Sequence, residues 1–108
     1  MTRKDIRKLD QFVREQLRKR KRCERCGSTR FLQVSHIYSR RYLSIRFHPT
    51  NVLLFCAGCH LKWHHRPAEA VGWAIHFLGR GAWARLKRLA NTLNKGLTVE
   101  EVKGWWTT

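Results

Sequence analysis

Acidic side chains are scarce in this sequence. Its 108 residues hold 7 Asp and Glu against 23 Lys and Arg, a formal net charge of +16. Asp5, Asp10, Glu15 and Glu24 come early, Glu69, Glu100 and Glu101 come late, and no acid lies between Arg25 and Pro67. A two-metal nuclease needs carboxylates to bridge hard cations, so that class is excluded. A zinc deaminase needs a His-x-Glu ahead of its cysteine pair, and that is missing too. No apolar run approaches the ~20 residues of a membrane span. The opening MTRKDIRKLDQF is charged with no apolar stretch behind it, so no secretory signal is expected. Internal repeats and low-complexity linkers are absent.

What is abundant is positive charge. Such a surface attracts polyanions and gains from counterion release on a phosphate backbone. Nucleic acid is therefore the expected partner, ahead of a membrane surface bound through a basic amphipathic helix. The length suits one domain over residues 1–108 with one modest core, and so small a domain often leans on a metal staple.

The four cysteines fall in two pairs, Cys23-x-x-Cys26 and Cys56-x-x-Cys59. Without a secretory signal, such pairs read as zinc ligands rather than disulfides. Four thiolates also fill one tetrahedral structural site. The alternatives are two disulfides or a redox CxxC, but a redox CxxC usually sits near a βαβ pattern, and none is visible.

The periodicity predicts an amphipathic helix over 3–21, with Ile6, Leu9, Phe12, Val13 and Leu17 inward and a basic tail of Arg18, Lys19, Arg20, Lys21 and Arg22. It would cap the core with one face and contact phosphate with the other. Gly27 can supply a positive φ to the turn after the first cysteine pair. Arg30–Tyr38 reads as a strand and Asn51–Phe55 as a second. A basic loop with Arg40, Arg41, Arg46 and His48 joins them. A helix opens at Cys56 and runs to about His65. Pro67 suits the first turn of the next helix, which carries Val71, Ile75 and Leu78 and stops near Gly79-Arg80-Gly81. Another is expected over Ala82–Asn94, with Leu86, Leu89 and Leu93 on one face and Gly96 as the stop. Thr98-Val99-Glu100-Glu101 has the form of a capping box for a last short helix. Trp73, Trp83, Trp105 and Trp106 read as core rather than base-stacking residues.

His60 and His64 lie one helical turn apart, so their imidazoles share a face and suit a metal chelate. His65 lies about 100° further round by the helical period and belongs to neither site, unless a distorted helix lets it replace His64. With carboxylate chemistry excluded, what remains is one metal on imidazoles, with an unligated histidine nearby as base. That set suits phosphodiester hydrolysis, with an arginine to neutralise developing charge.

The ordered set His36, Asn51, His60 resembles the HNH nuclease motif, the ββα-metal fold, over roughly Cys23 to His65. Its intervals are similar to those of the nuclease domain of DNase colicins. The two CxxC pairs look like the zinc-stapled HNH enzymes of phages and restriction systems. Ser35-His36-Ile37-Tyr38-Ser39-Arg40, with Leu43, Arg46, Phe47 and Asn51, bears a looser resemblance to phage NinG/Rap recombination nucleases. The resemblance implies an α+β fold, with a zinc-stapled HNH core over 23–66 between the N-terminal basic helix and a helical extension over 67–108. It implies that His36 activates water, that Asn51 fixes the loop and orients His36, and that His60 and His64 hold a catalytic divalent ion (Mg2+, Mn2+, Ni2+ or Zn2+) beside the structural Zn2+.

Ser35 stands where that family has an Asp or His ligand. Either water fills the vacant coordination position, with weaker metal affinity, or activity is weak or lost. Arg40 and Arg41 contact the scissile phosphate or form a generic basic loop. Arg46, Lys62 and Arg66, with the Arg18–Arg22 tail, are expected on the nucleic-acid surface. DNA is the expected substrate, in a bacterial or phage-infected cytoplasm. Cutting two strands needs a dimer, a larger complex or two successive nicks. The other readings are a catalytically silent zinc-stapled binding protein and a basic effector of a protein partner.

Overall fold

In the computed structural model, which describes residues 1–92 and 96–107, the elements run α1 (Arg3–Arg18), β1 (Leu32–His36), β2 (Val52–Cys56), α2 (Ala57–His65), α3 (Pro67–Leu78), α4 (Arg80–Ala90) and α5 (Val99–Trp105). The expected α+β class holds: five helices and a two-stranded antiparallel sheet among the described residues.

β2 is a continuous apolar run because both faces of the sheet are covered. Val52 and Leu54 pack with Leu9, Val13 and Leu17 of α1, joined by Phe47, Leu97 and Val102. Leu53 and Phe55 point the other way, toward Cys23, Cys59, Trp63 and Trp73. The hairpin is thus sandwiched between α1 with α5 and α2 with α3. A third cluster, Ile45, Leu86 and Ala90, seats α4 against the loop between the strands.

Several boundaries differ from those expected. α1 stops at Arg18, not residue 21, and Lys21 adopts φ 69° as the chain turns toward Cys23. β1 starts at Leu32 because Phe31 takes φ 53°, which a strand cannot hold. β2 is shifted by one residue, to Val52–Cys56. α3 turns Ala70 and Ala74 inward and leaves Val71 exposed. The small alanines let the backbone approach its neighbours, while Trp73 reaches across to Phe55. α4 begins at Arg80, with Gly79 at φ 85° forming the corner and Gly81 inside the helix. The expected Leu93 and Asn94 end of that helix lies outside the described residues.

Other signals are met. Pro67 is the first residue of α3. Thr98 accepts the Glu101 N–H at 3.2 Å to cap α5, and Gly27 has φ 82°. Thr2 and Asp5 form a full reciprocal capping box on α1. The tryptophans are structural: Trp106 donates to the Phe47 carbonyl at 2.8 Å, and Trp105 packs on His48.

A four-cysteine cluster beside a cleft of imidazoles

The first CxxC turn is pinned to β2. The Cys23 N–H bonds the Ser28 carbonyl, and Glu24 bonds Leu54 through its backbone N–H at 2.8 Å and its carboxylate at 2.9 Å. Arg20 donates to the same carboxylate at 2.7 Å, so the outer edge of β2 is covered. The second CxxC pair follows directly, because Cys56 ends β2 and caps α2. Its sulfur accepts the Cys59 N–H at 3.5 Å.

The two pairs converge. All four sulfurs lie within 4.8 Å of one another, with Cys26 and Cys56 at 3.5 Å. Four thiolates at ~2.3 Å from a tetrahedral zinc stand ~3.8 Å apart, so the donor set and its spacing fit such an ion. Burial opposes ionisation of Cys23, but backbone hydrogen bonds from Cys26, Cys56 and Arg25 outweigh it and lower the thiol to about 6. Burial and the neighbouring thiols push Cys59 up.

The imidazoles form a separate group. β1 and α2 meet so that His36, His60 and His64 line one open cleft of about 500 Å³, with Arg40, Arg41 and Trp63 on its walls. The Nε2 atoms of His60 and His64 are 3.2 Å apart. Two imidazole nitrogens at ~2.0–2.1 Å from a shared ion stand about 3 Å apart, so this pair fits a divalent cation. Burial, His64 and Arg40 hold His60 below the ordinary imidazole value, in the neutral form that ligates. Among the described residues only the cysteines form a ligand group of three or more, so His60 and His64 stand as a pair.

Ser35 is fully buried where β1 faces α2, and its hydroxyl sits 2.5 Å from Nδ1 of His60. An ion on Nε2 would leave the proton on Nδ1, which would then donate to the serine oxygen. The residue read from sequence as a doubtful ligand is a hydrogen-bond partner of His60.

His36 lies on the opposite face of β1. Its Nε2 donates to the Arg46 carbonyl at 3.1 Å, which leaves the Nδ1 lone pair free to accept. Burial, then the Arg40 charge, lowers its pKa, so the ring is neutral. Asn51 is fully buried and clamps the loop. Its amide donates to the Tyr38 and Ile45 carbonyls at 3.0 and 3.1 Å and accepts the Tyr38 N–H at 2.8 Å. Its own backbone carbonyl takes the Ile37 N–H at 2.8 Å.

The expected phosphate contacts divide. Arg18, Lys19, Lys21, Arg22 and Lys62 are exposed, and Arg66 is exposed beside Glu69 at 3.7 Å. Arg46 instead grips Asp10 through two bonds, of 3.0 and 2.6 Å. Arg20 is held by Glu24 and lies over Trp106. Both are engaged within the fold because the nearest carboxylates meet them there. His65 is exposed at the end of α2 and lines no part of the cleft. Sequence reading missed Arg14, which lines two cavities adjoining the cleft. Its four-residue spacing from Arg18 was the available signal.

These features define an α+β domain with a cysteine cluster suited to a structural metal. Comparison with family models, curated proteins and solved structures finds no match.

Proposed function

We propose that this chain is a metal-dependent endonuclease of the HNH class, hydrolysing DNA phosphodiester bonds. The observation that carries the reading is one cleft containing a neutral, unligated His36 and a chelating pair, His60 and His64, with their Nε2 atoms 3.2 Å apart. The strand–loop–strand–helix order and the clamped Asn51 support it.

His36 Nδ1 accepts a proton from water as the water oxygen bonds to phosphorus. The bond from phosphorus to the leaving sugar oxygen breaks with its electron pair on that oxygen, which then takes a proton from solvent. When bound at His60 and His64, a divalent ion supplies Lewis-acid stabilisation to the phosphate and the leaving oxygen. Arg40 and Arg41 lie on the cleft wall, where a guanidinium can hold a non-bridging oxygen. The four-cysteine cluster would hold zinc as a staple. Each active site cuts one strand, so a double-strand break takes a dimer or two nicks.

Plasmid nicking with Mg2+, Mn2+, Ni2+ or Zn2+ tests this reading. Cleavage is expected with the wild type and lost in His36→Ala, while DNA still shifts in a gel. A second reading, a silent nucleic-acid-binding module, is favoured by the absence of a third ligand beside His60 and His64 among the described residues. Binding without cleavage under every metal would establish that one instead.

A further inference from the structure

The cleft continues along one side of the sheet. β1 pairs only with β2, so its other edge has no strand partner among the described residues. Beside that edge runs a second cavity of about 290 Å³, bounded by Arg14 and Arg18 of α1, by Gln33, and by Arg40 and His60. It shares Val34, Arg40 and His60 with the imidazole cleft. No acidic residue lines either cavity.

α1 sorts its charges around its axis. At ~100° per residue, Arg3, Arg7, Arg14 and Arg18 fall within about 60° of one another. All four are exposed. Asp5 and Glu15 fall outside that sector and line a separate cavity against α5. Asp10 lies near the arginine stripe, but its carboxylate is neutralised by Arg46 at 2.6 Å. The stripe is therefore a cationic ridge whose Arg14 and Arg18 end borders the groove, and from Arg3 to Arg18 it spans ~22 Å, about six base-pair steps.

We propose that this α1 ridge, with Arg40, is the phosphate track that carries one strand of duplex DNA along the free edge of β1 into the imidazole cleft. Of the basic tail after α1, Arg20 is already held by Glu24 and Trp106, while Lys19, Lys21 and Arg22 are exposed. The inference takes its polyanion from the function proposed above, but needs only binding and not cleavage. Charge complementarity selects the occupant: Arg14, Arg18 and Arg40 face the groove with no carboxylate among its lining residues, which suits a phosphate backbone.

The test is fluorescence anisotropy of a labelled 20-base-pair duplex with the full-length, zinc-loaded protein, at several salt concentrations. The triple variant Arg7→Gln/Arg14→Gln/Arg18→Gln is compared with Lys4→Gln/Lys8→Gln/Lys87→Gln, which removes equal charge from other faces. The ridge variant is expected to lose about 30-fold or more in affinity at 100 mM salt, with a salt slope shallower by about 2–3, near 0.9 per phosphate contact. The control should stay within a few-fold of wild type. Equal losses in both would overturn the track in favour of a diffuse cationic surface, and no loss in the ridge variant would overturn it outright. The single Arg14→Gln variant, with a melting curve, separates lost contacts from lost folding. Nicking is scored separately: a wild type that binds through the ridge but never cuts defeats the nuclease reading and leaves the track standing.

Discussion

At the residue scale, the informative position is Ser35. A serine hydroxyl is a poor divalent-metal ligand, yet here it lies on His60 Nδ1, where it would orient the ring for the proposed metal on Nε2. Outer-shell partners of this kind typically contribute 10- to 100-fold to metal affinity. Ser35→Ala is therefore expected to weaken metal binding at His60 and His64 by about that factor, leaving the cysteine cluster loaded; calorimetric titration of Mn2+ into zinc-loaded protein checks it. Asn51 is the second such residue. Asn51→Ala strands the Tyr38 N–H and two carbonyls in a buried site, at about 1–3 kcal/mol each, so denaturant unfolding should show a loss of several kcal/mol. In the proposed nuclease, His36 would set the pH dependence. Its folded pKa lies below the ordinary 6.5, and the base role proposed for it would need the neutral ring. Nicking should therefore be flat from pH 6.5 upward and fall only as pH drops through the lowered value. The same sign applies to stability: the unfolded state binds the proton first, so the His36 contribution is lost as pH falls below 6.5. A pH–rate profile displaced to the alkaline side would contradict this.

At the element scale, the hairpin is held by what lies outside it. Two strands alone are marginal in water. β2 is sealed on one face by α1 and on the other by α2, and its outer edge is covered by Glu24 and Arg20. The cysteine cluster ties the turn before β1 to the start of α2, so metal binding is also folding free energy. Purified protein should carry one zinc per chain by elemental analysis. A strong chelator, or Cys26→Ser, should lower the melting temperature by about 10 °C or more, consistent with the size of structural zinc binding. On the opposite face, Leu9 is fully buried in the α1 seam. Leu9→Ala should cost about 2–5 kcal/mol, read by denaturant unfolding.

At the scale of the whole molecule, the charge is large but not uniformly available. Among the described residues, ion pairs join Arg20, Arg46 and Arg66 to Glu24, Asp10 and Glu69. Among the described residues most of the remaining cations project into solvent, and on α1 the arginines gather on one sector while Lys4 and Lys8 lie outside it. Affinity for duplex DNA should thus fall steeply with salt, linearly in log–log form, at about 0.9 per phosphate neutralised.

The sequence by itself determined the class of elements, the two CxxC pairs and the grouping of His60 with His64, because each follows from local spacing. Helical period places the histidines on one face, and two cysteines with two residues between them can reach one ion from a single turn. It also excluded carboxylate-bridged metal chemistry by the bare stretch from Arg25 to Pro67. What it could not determine depends on contacts across the chain. Arg46 and Arg40 are alike in sequence, and only the approach of Asp10 on α1 takes one into the fold and leaves the other at the cleft. Ser35 read as a missing ligand because its partner lies 25 residues away, on a helix whose distance from β1 is set by packing. The end of α1 and the start of β1 shifted with the first cysteine turn: Lys21 and Phe31 on either side of it adopt positive φ, where Cys23 and Cys26 meet Cys56 and Cys59.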